Sequence, residues 1–129
     1  MHSRSETNVV LIVDDEYAVR NVQQRLLARA GYDVIACASA VEALDVLERR
    51  SPEIAVALLD VFMPDINGRE LAGTIRDRYR DVKIVMVSGG MTGELEHAAG
   101  FDGVLEKPFT GATLLAEVAR HVQDGPKGA

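Results

Sequence analysis

Cysteine is nearly missing from this 129-residue chain: Cys37 stands alone, which excludes an intrachain disulfide and leaves no set of thiolates for a zinc site. A reducing compartment fits that usage. Basic residues are outnumbered 20 to 14 by acidic ones, for a formal charge of −6, and they are scattered singly or in pairs such as Arg49-Arg50. Binding to a phosphate backbone needs clustered Lys and Arg, so direct nucleic-acid binding is not expected. Long apolar runs are missing too. The two longest, residues 9–13 and 54–59, hold five and six residues, against the roughly 20 that span a bilayer. The first seven residues lack the apolar core of a secretory signal. These absences predict a cytoplasmic protein without a membrane partner.

What is present, 47% hydrophobic and 26% charged residues with 5% aromatics, is the composition of an ordinary globular protein. The length suits one domain with a real core. Residues 1–7 and the Gly- and Pro-rich residues 124–129 read as flexible tails around a domain at 8–123, the second tail also fitting the start of a linker.

Two periodicities alternate between the tails. Residues 9–13 are apolar throughout, as in a central parallel strand covered on both faces, and stop at Asp14-Asp15. Residues 16–30 place Val19, Val22, Leu26 and Leu27 at helical spacing, and Gly31 provides a stop. A second strand at 32–37 precedes a helix N-capped by Ser39 and carrying Val41, Leu44 and Leu47, which Ser51-Pro52 ends. The third strand, 54–59, terminates in Asp60. A loop with Pro64 and Asn67-Gly68 as turn signals leads to a helix through Leu71, Ile75 and Tyr79. A fourth strand at 82–87, a short helical segment at 92–99, a fifth strand at 101–105 and a last helix bearing Leu114, Leu115, Val118 and Val122 complete the chain. Five βα units joined by right-handed crossovers make an α/β fold, a doubly wound five-stranded parallel sheet.

Ligands of such sheets bind at the carboxyl ends of the strands. Asp14, Asp15, Asp60, Ser88 and Lys107 all fall there, distant in sequence and expected in one pocket. Three carboxylates brought together repel, and a hard divalent cation resolves the conflict. An oxygen-only donor set suits Mg²⁺ or Mn²⁺. A lysine and a hydroxyl facing the metal can hold further phosphoryl oxygens, and a carboxylate can serve as the nucleophile. No glycine-rich nucleotide cradle is present.

In this order on a five-fold βα pattern, Val13-Asp14-Asp15-Glu16, Leu59-Asp60-Val61-Phe62-Met63-Pro64-Asp65 with Gly68, Val87-Ser88-Gly89 and Lys107-Pro108-Phe109 resemble the receiver domain of two-component response regulators. The resemblance runs from Asn8 to Val122. It implies a flavodoxin-like sheet of strand order 2-1-3-4-5. It also implies a signalling phosphoacceptor rather than a substrate-turning enzyme, one that promotes its own phosphorylation and dephosphorylation. Asp60 becomes the acceptor of a phosphoryl group from the phosphohistidine of a partner histidine kinase or histidine phosphotransfer protein. Asp15 binds Mg²⁺ directly, Asp14 orients metal-bound water, and the Phe62 backbone carbonyl completes the ligands. Lys107 pairs with the phosphate and Ser88 donates a hydrogen bond to it. Through Ser88 the phosphate is coupled to a downstream protein target at the face formed by the fourth helix, fifth strand and last helix. A cis bond before Pro108 is also implied.

Two positions depart from the family pattern. Val104 stands where many receivers carry an aromatic ring, which argues against a ring-flip switch. Ser88 and Lys107 lie 19 residues apart, about one helical turn less than usual, so the fourth helix should be short or irregular, and Gly89, Gly90 and Gly93 mark a mobile segment. These departures keep a second reading open, an interaction module that signals without phosphorylation. A metal-dependent phosphohydrolase is disfavoured because position 62 is Phe rather than an acid. His97 and His121 read as surface residues, and Cys37 as a small apolar packing residue.

Overall fold

The strands form where the apolar runs lie, and their continuity fixes them at the centre of the sheet. In the computed structural model, which describes residues 8–63, 65–89 and 101–123, β1 (Val9–Val13) and β3 (Ile54–Asp60) are buried at every position. Beside them lie β2 (Asp33–Cys37), β4 (Lys83–Ser88) and β5 (Gly103–Glu106), and every neighbouring pair is parallel. The order is β2-β1-β3-β4-β5, the doubly wound α/β arrangement expected. Four helices are present among the described residues: α1 (Tyr17–Arg29), α2 (Ala40–Arg50), α3 (Gly68–Arg78) and α4 (Gly111–Gln123). The fourth βα crossover expected at 92–99, its predicted mobility, and the two tails lie outside the described residues. None of the described helices is long and apolar enough to cross a membrane.

Alternation along each strand sends side chains to two separate cores. Leu11, Val13, Ala57, Leu59, Ile84 and Met86 meet Leu47 of α2 and Leu71 and Ile75 of α3. Val10, Ile12, Leu58 and Val85 face the other way, against Leu27 of α1 and Leu114 and Val118 of α4.

Helix ends follow local chemistry. The Ser39 hydroxyl accepts from the Glu42 amide at 3.2 Å, while the Glu42 carboxylate reaches back to the Ala38 amide at 2.9 Å, so two otherwise unpaired N–H groups at the start of α2 are satisfied. Gly31 adopts φ 104° and ends α1, a left-handed conformation that glycine enters without strain. The Asn67-Gly68 pair does more than turn the chain: Asn67 caps α3 by accepting from the Glu70 amide at 3.0 Å, and Gly68 is its first residue.

Three expectations are corrected. The inner face of α1 runs through Gln23 and Leu27, and Val22 is 56% exposed because the apolar positions of this helix straddle two faces. Val41, in the first turn of α2, is likewise exposed. β5 starts at Gly103 rather than 101, because the Asp102 carboxylate accepts from the Ile84 amide at 2.8 Å and so occupies the place of a strand carbonyl.

Candidate functional site

At the carboxyl edge of the sheet the backbone ladder runs one residue past β1, β3 and β5. The Asp14 amide donates to the Cys37 carbonyl at 3.1 Å, the Val61 amide to the Val87 carbonyl at 3.1 Å, and the Lys107 amide to the Ser88 carbonyl at 2.7 Å. These rungs fix the Cα positions from which the polar side chains project. Asp14 is 2% exposed and Asp60 8%, whereas Asp15 faces solvent. One carboxylate oxygen from each of Asp14, Asp15 and Asp60 can be chosen so that all lie within 4.8 Å of one another.

Lys107 enters this acidic group from β5. Its Nζ lies 3.6 Å from Asp14 Oδ2 and 3.9 Å from Asp60 Oδ1, and the peptide bond joining it to Pro108 is cis, as the resemblance implied. Ser88, buried at the end of β4, pairs across the ladder with Glu106 and follows Val87, the Cα partner of Asp60. All five strand-end residues therefore line one edge, with Asp14, Asp15, Asp60 and Lys107 in a single cluster.

Burial of Asp60, followed by repulsion from Asp14, pushes its carboxyl up to about 6; Lys107 and the Phe62 backbone amide pull the other way. The net direction means that Lys107 and the Phe62 amide do not offset the burial and the repulsion that this carboxylate meets. Three hard oxygen donors with excess negative charge fit a divalent cation of the Mg²⁺ class, and the Phe62 backbone amide lies against the Asp60 carboxylate. Phe62 itself is 72% exposed.

The loop after Asp60 is held on two sides. Gly68 donates to the Val61 carbonyl at 2.8 Å, and a Cβ at position 68 would collide with the Asp60 backbone carbonyl. Asp65 reaches from the same loop to the start of α2, accepting from the Ala40 and Val41 amides at 3.3 and 3.0 Å. These amides hold its carboxyl below the usual carboxylate range, together with a larger contribution from the Ile66 amide. Sequence pattern gave no sign of this tie, since Asp65 stands out there only as the last residue of the Leu59–Asp65 motif.

His121, expected at the surface, is 3% exposed. Its Nε2 lies 2.8 Å from Glu117 Oε2, and both groups pack over Gly103, where the missing side chain makes room. Cys37 is buried as expected, and that burial pushes its thiol up to about 11, which disfavours the reactive thiolate. Val104 packs against the α2–α3 core.

The family model for the response regulator receiver domain matches residues 10–119. The chain belongs to the response regulator receiver family. Among curated relatives, the sensor kinase CckA of Brucella abortus is 38% identical over 118 residues, 88% of this chain and 12% of the kinase. The transcriptional regulatory protein CitT of Halalkalibacterium halodurans is 31% identical over 88% of this receiver and 52% of its own length. The receiver thus spans from an eighth to about half of these relatives. A CheY-like receiver domain protein from Methanospirillum hungatei superposes with a TM-score of 0.85 at 28% identity, covering 95% of this chain and 99% of the other. The chemotaxis protein CheY4 of Vibrio cholerae does so at 0.81 and 32% identity, covering 89% and 98%.

Proposed function

We propose that this receiver accepts a phosphoryl group on Asp60 from a phosphohistidine of a partner histidine kinase or histidine phosphotransfer protein. The observation that carries the reading is the placement of Lys107 Nζ between the Asp14 and Asp60 carboxylates, with Asp15 alongside. An Asp60 carboxylate oxygen forms a bond to phosphorus while the P–N bond breaks. The electron pair of that bond leaves with the partner's imidazole, which takes a proton from solvent.

Asp14, Asp15 and Asp60, with the Phe62 backbone carbonyl, are the groups that would hold Mg²⁺, Mn²⁺ being a substitute. The bound cation supplies positive charge that keeps the clustered carboxylates ionised and offsets charge on the phosphoryl oxygens. Lys107 supplies a second cation to those oxygens and is free to shift from Asp14 toward them. Ser88 donates a hydroxyl hydrogen bond to the phosphoryl group and couples it to a target-binding face that includes β5 and α4. Phe62 and Gly90, flanking Asp60 and Ser88, set the lifetime of the acyl phosphate through water access.

Intact-mass spectrometry after incubation with Mg²⁺ and phosphoramidate, a donor with the same P–N bond, tests the reading. One added phosphoryl group is expected, absent from Asp60→Asn and from a chelated control. No adduct on a wild type that binds Mg²⁺ would refute it in favour of a module that signals through binding alone.

A further inference from the structure

Arg20, in the second turn of α1, reaches back over the start of its own helix. Its Nη1 donates to the backbone carbonyl of Asp14 at 2.7 Å, and its guanidinium lies 5.5 Å from the centroid of the Tyr17 ring, which holds the side chain in that direction. We propose that Arg20 is a positioning residue for the cation site: it fixes the turn between β1 and α1 and thereby preorganises Asp14 and Asp15 as metal ligands. The inference rests on the receiver reading given above.

Every polar atom of Asp14 is engaged. The amide extends the sheet ladder to Cys37, Oδ1 accepts from the Glu16 amide at 2.9 Å, Oδ2 faces Lys107, and the carbonyl accepts from Arg20. That carbonyl shares a peptide plane with the Asp15 amide, so fixing it fixes the direction in which Asp15 leaves the strand. Asp15 needs such help, because its carboxylate is exposed and makes no hydrogen bond among the described residues. A charge-assisted bond to a carbonyl is among the stronger ways to hold a short loop. The charges acting on Asp60 are those of Asp14, Lys107 and Asp15. The contact that Arg20 makes at the site is to the Asp14 backbone carbonyl, so its hold on Asp14 and Asp15 is through the backbone. Ligand-orienting partners of this kind typically carry about 10- to 100-fold in metal affinity.

The test is Mn²⁺ titration followed by electron paramagnetic resonance on the wild type, Arg20→Met and Arg20→Lys, with metal-free melting curves beside it. Arg20→Met keeps the aliphatic stem over Tyr17 and removes every donor; Mn²⁺ affinity is expected to fall by about 10-fold or more. Arg20→Lys retains one donor without the rigid fork and should fall between the two. The Mg²⁺ concentration for half-maximal phosphorylation by phosphoramidate should rise in the same order, while the rate at saturating Mg²⁺ stays within about twofold of wild type. Wild-type affinity in either variant overturns the inference, and a lowered melting temperature with unmoved affinity does so by assigning Arg20 a purely structural role. A wild type that binds no Mn²⁺ overturns the metal-dependent phosphoacceptor reading itself, a result distinct from binding that the variants share equally.

Discussion

Replacing Asp60 with asparagine removes the proposed acceptor and one of three gathered charges, and the metal-free protein should become more stable for it. In the folded state the Asp60 carboxyl sits at about 6 against an ordinary 3.8, raised first by burial and then by Asp14. The folded protein therefore binds this proton more tightly than the unfolded chain does. Stability from this group is complete below the unfolded value and is lost as pH rises through the interval up to the folded one. At 1.36 kcal/mol for each tenfold difference in acidity, the loss amounts to about 3 kcal/mol above neutral pH. Little is discounted for solvent, because the side chain is only 11% exposed. Asparagine does not ionise and escapes the loss.

The assay is the difference in melting temperature between wild type and Asp60→Asn, measured with chelator at several pH values. Groups whose ionisation is unchanged by the substitution cancel in that difference, which leaves Asp60 and the carboxylates coupled to it, Asp14 first. At about pH 4 the two proteins should differ only by the small offset of amide against carboxyl, and by about pH 8 the variant should gain some 10 °C relative to that offset. Added Mg²⁺ should stabilise the wild type more than the variant and narrow the gap. A difference that stays constant from about pH 4 to about pH 8 would refute the electrostatic argument.

Gly68→Ala should cost about 1–3 kcal/mol in urea denaturation and slow phosphorylation, because the new methyl meets the Asp60 backbone carbonyl, which has no rotamer by which to yield. Lys107→Ala should lower the phosphorylation rate by about 100-fold at saturating Mg²⁺, followed by intact mass; an unchanged rate would remove Lys107 from the chemistry. Gln23→Met should stabilise the protein by about 1 kcal/mol in the same urea assay, since the buried Gln23 Nε2 has no hydrogen-bond partner among the described residues and an isosteric thioether needs none.

The strand-end residues were legible because each interrupts an apolar run: Asp14 after Val13 and Asp60 after Leu59 are abrupt changes of polarity, and a parallel sheet turns such positions into neighbours. Facing was less legible. In α1 the apolar residues Val19, Val22, Leu26 and Leu27 spread over more than one side, and only packing of Leu27 against the β1–α4 core selects Gln23 as buried and Val22 as exposed. His121 departs from the surface position its sequence suggests for a related reason. A histidine near the end of an amphipathic helix reads as a surface group until Gly103, 18 positions earlier on another element, is found beneath it. The Asp65 and Arg20 contacts depend on which way a carboxylate or a carbonyl points, and no periodicity encodes that.

The same placement that creates the chemistry sets its energetic demand. Three carboxylates with one lysine at the end of a buried sheet are costly to assemble without a cation, by about 3 kcal/mol for Asp60 alone. That is a large share of the roughly 5–15 kcal/mol by which a domain is stable. The sheet withstands it because the strands that present Asp14 and Asp60 are the two buried along their whole length. Their ladder also continues past the acids through Asp14 to Cys37 and Val61 to Val87, so relaxation that would spread the charges must first break backbone hydrogen bonds in the best-packed part of the molecule. The repulsion is thereby kept within the site, where a bound cation can relieve it. A site whose stability rises on occupation is suited to report that occupation to surfaces beyond it.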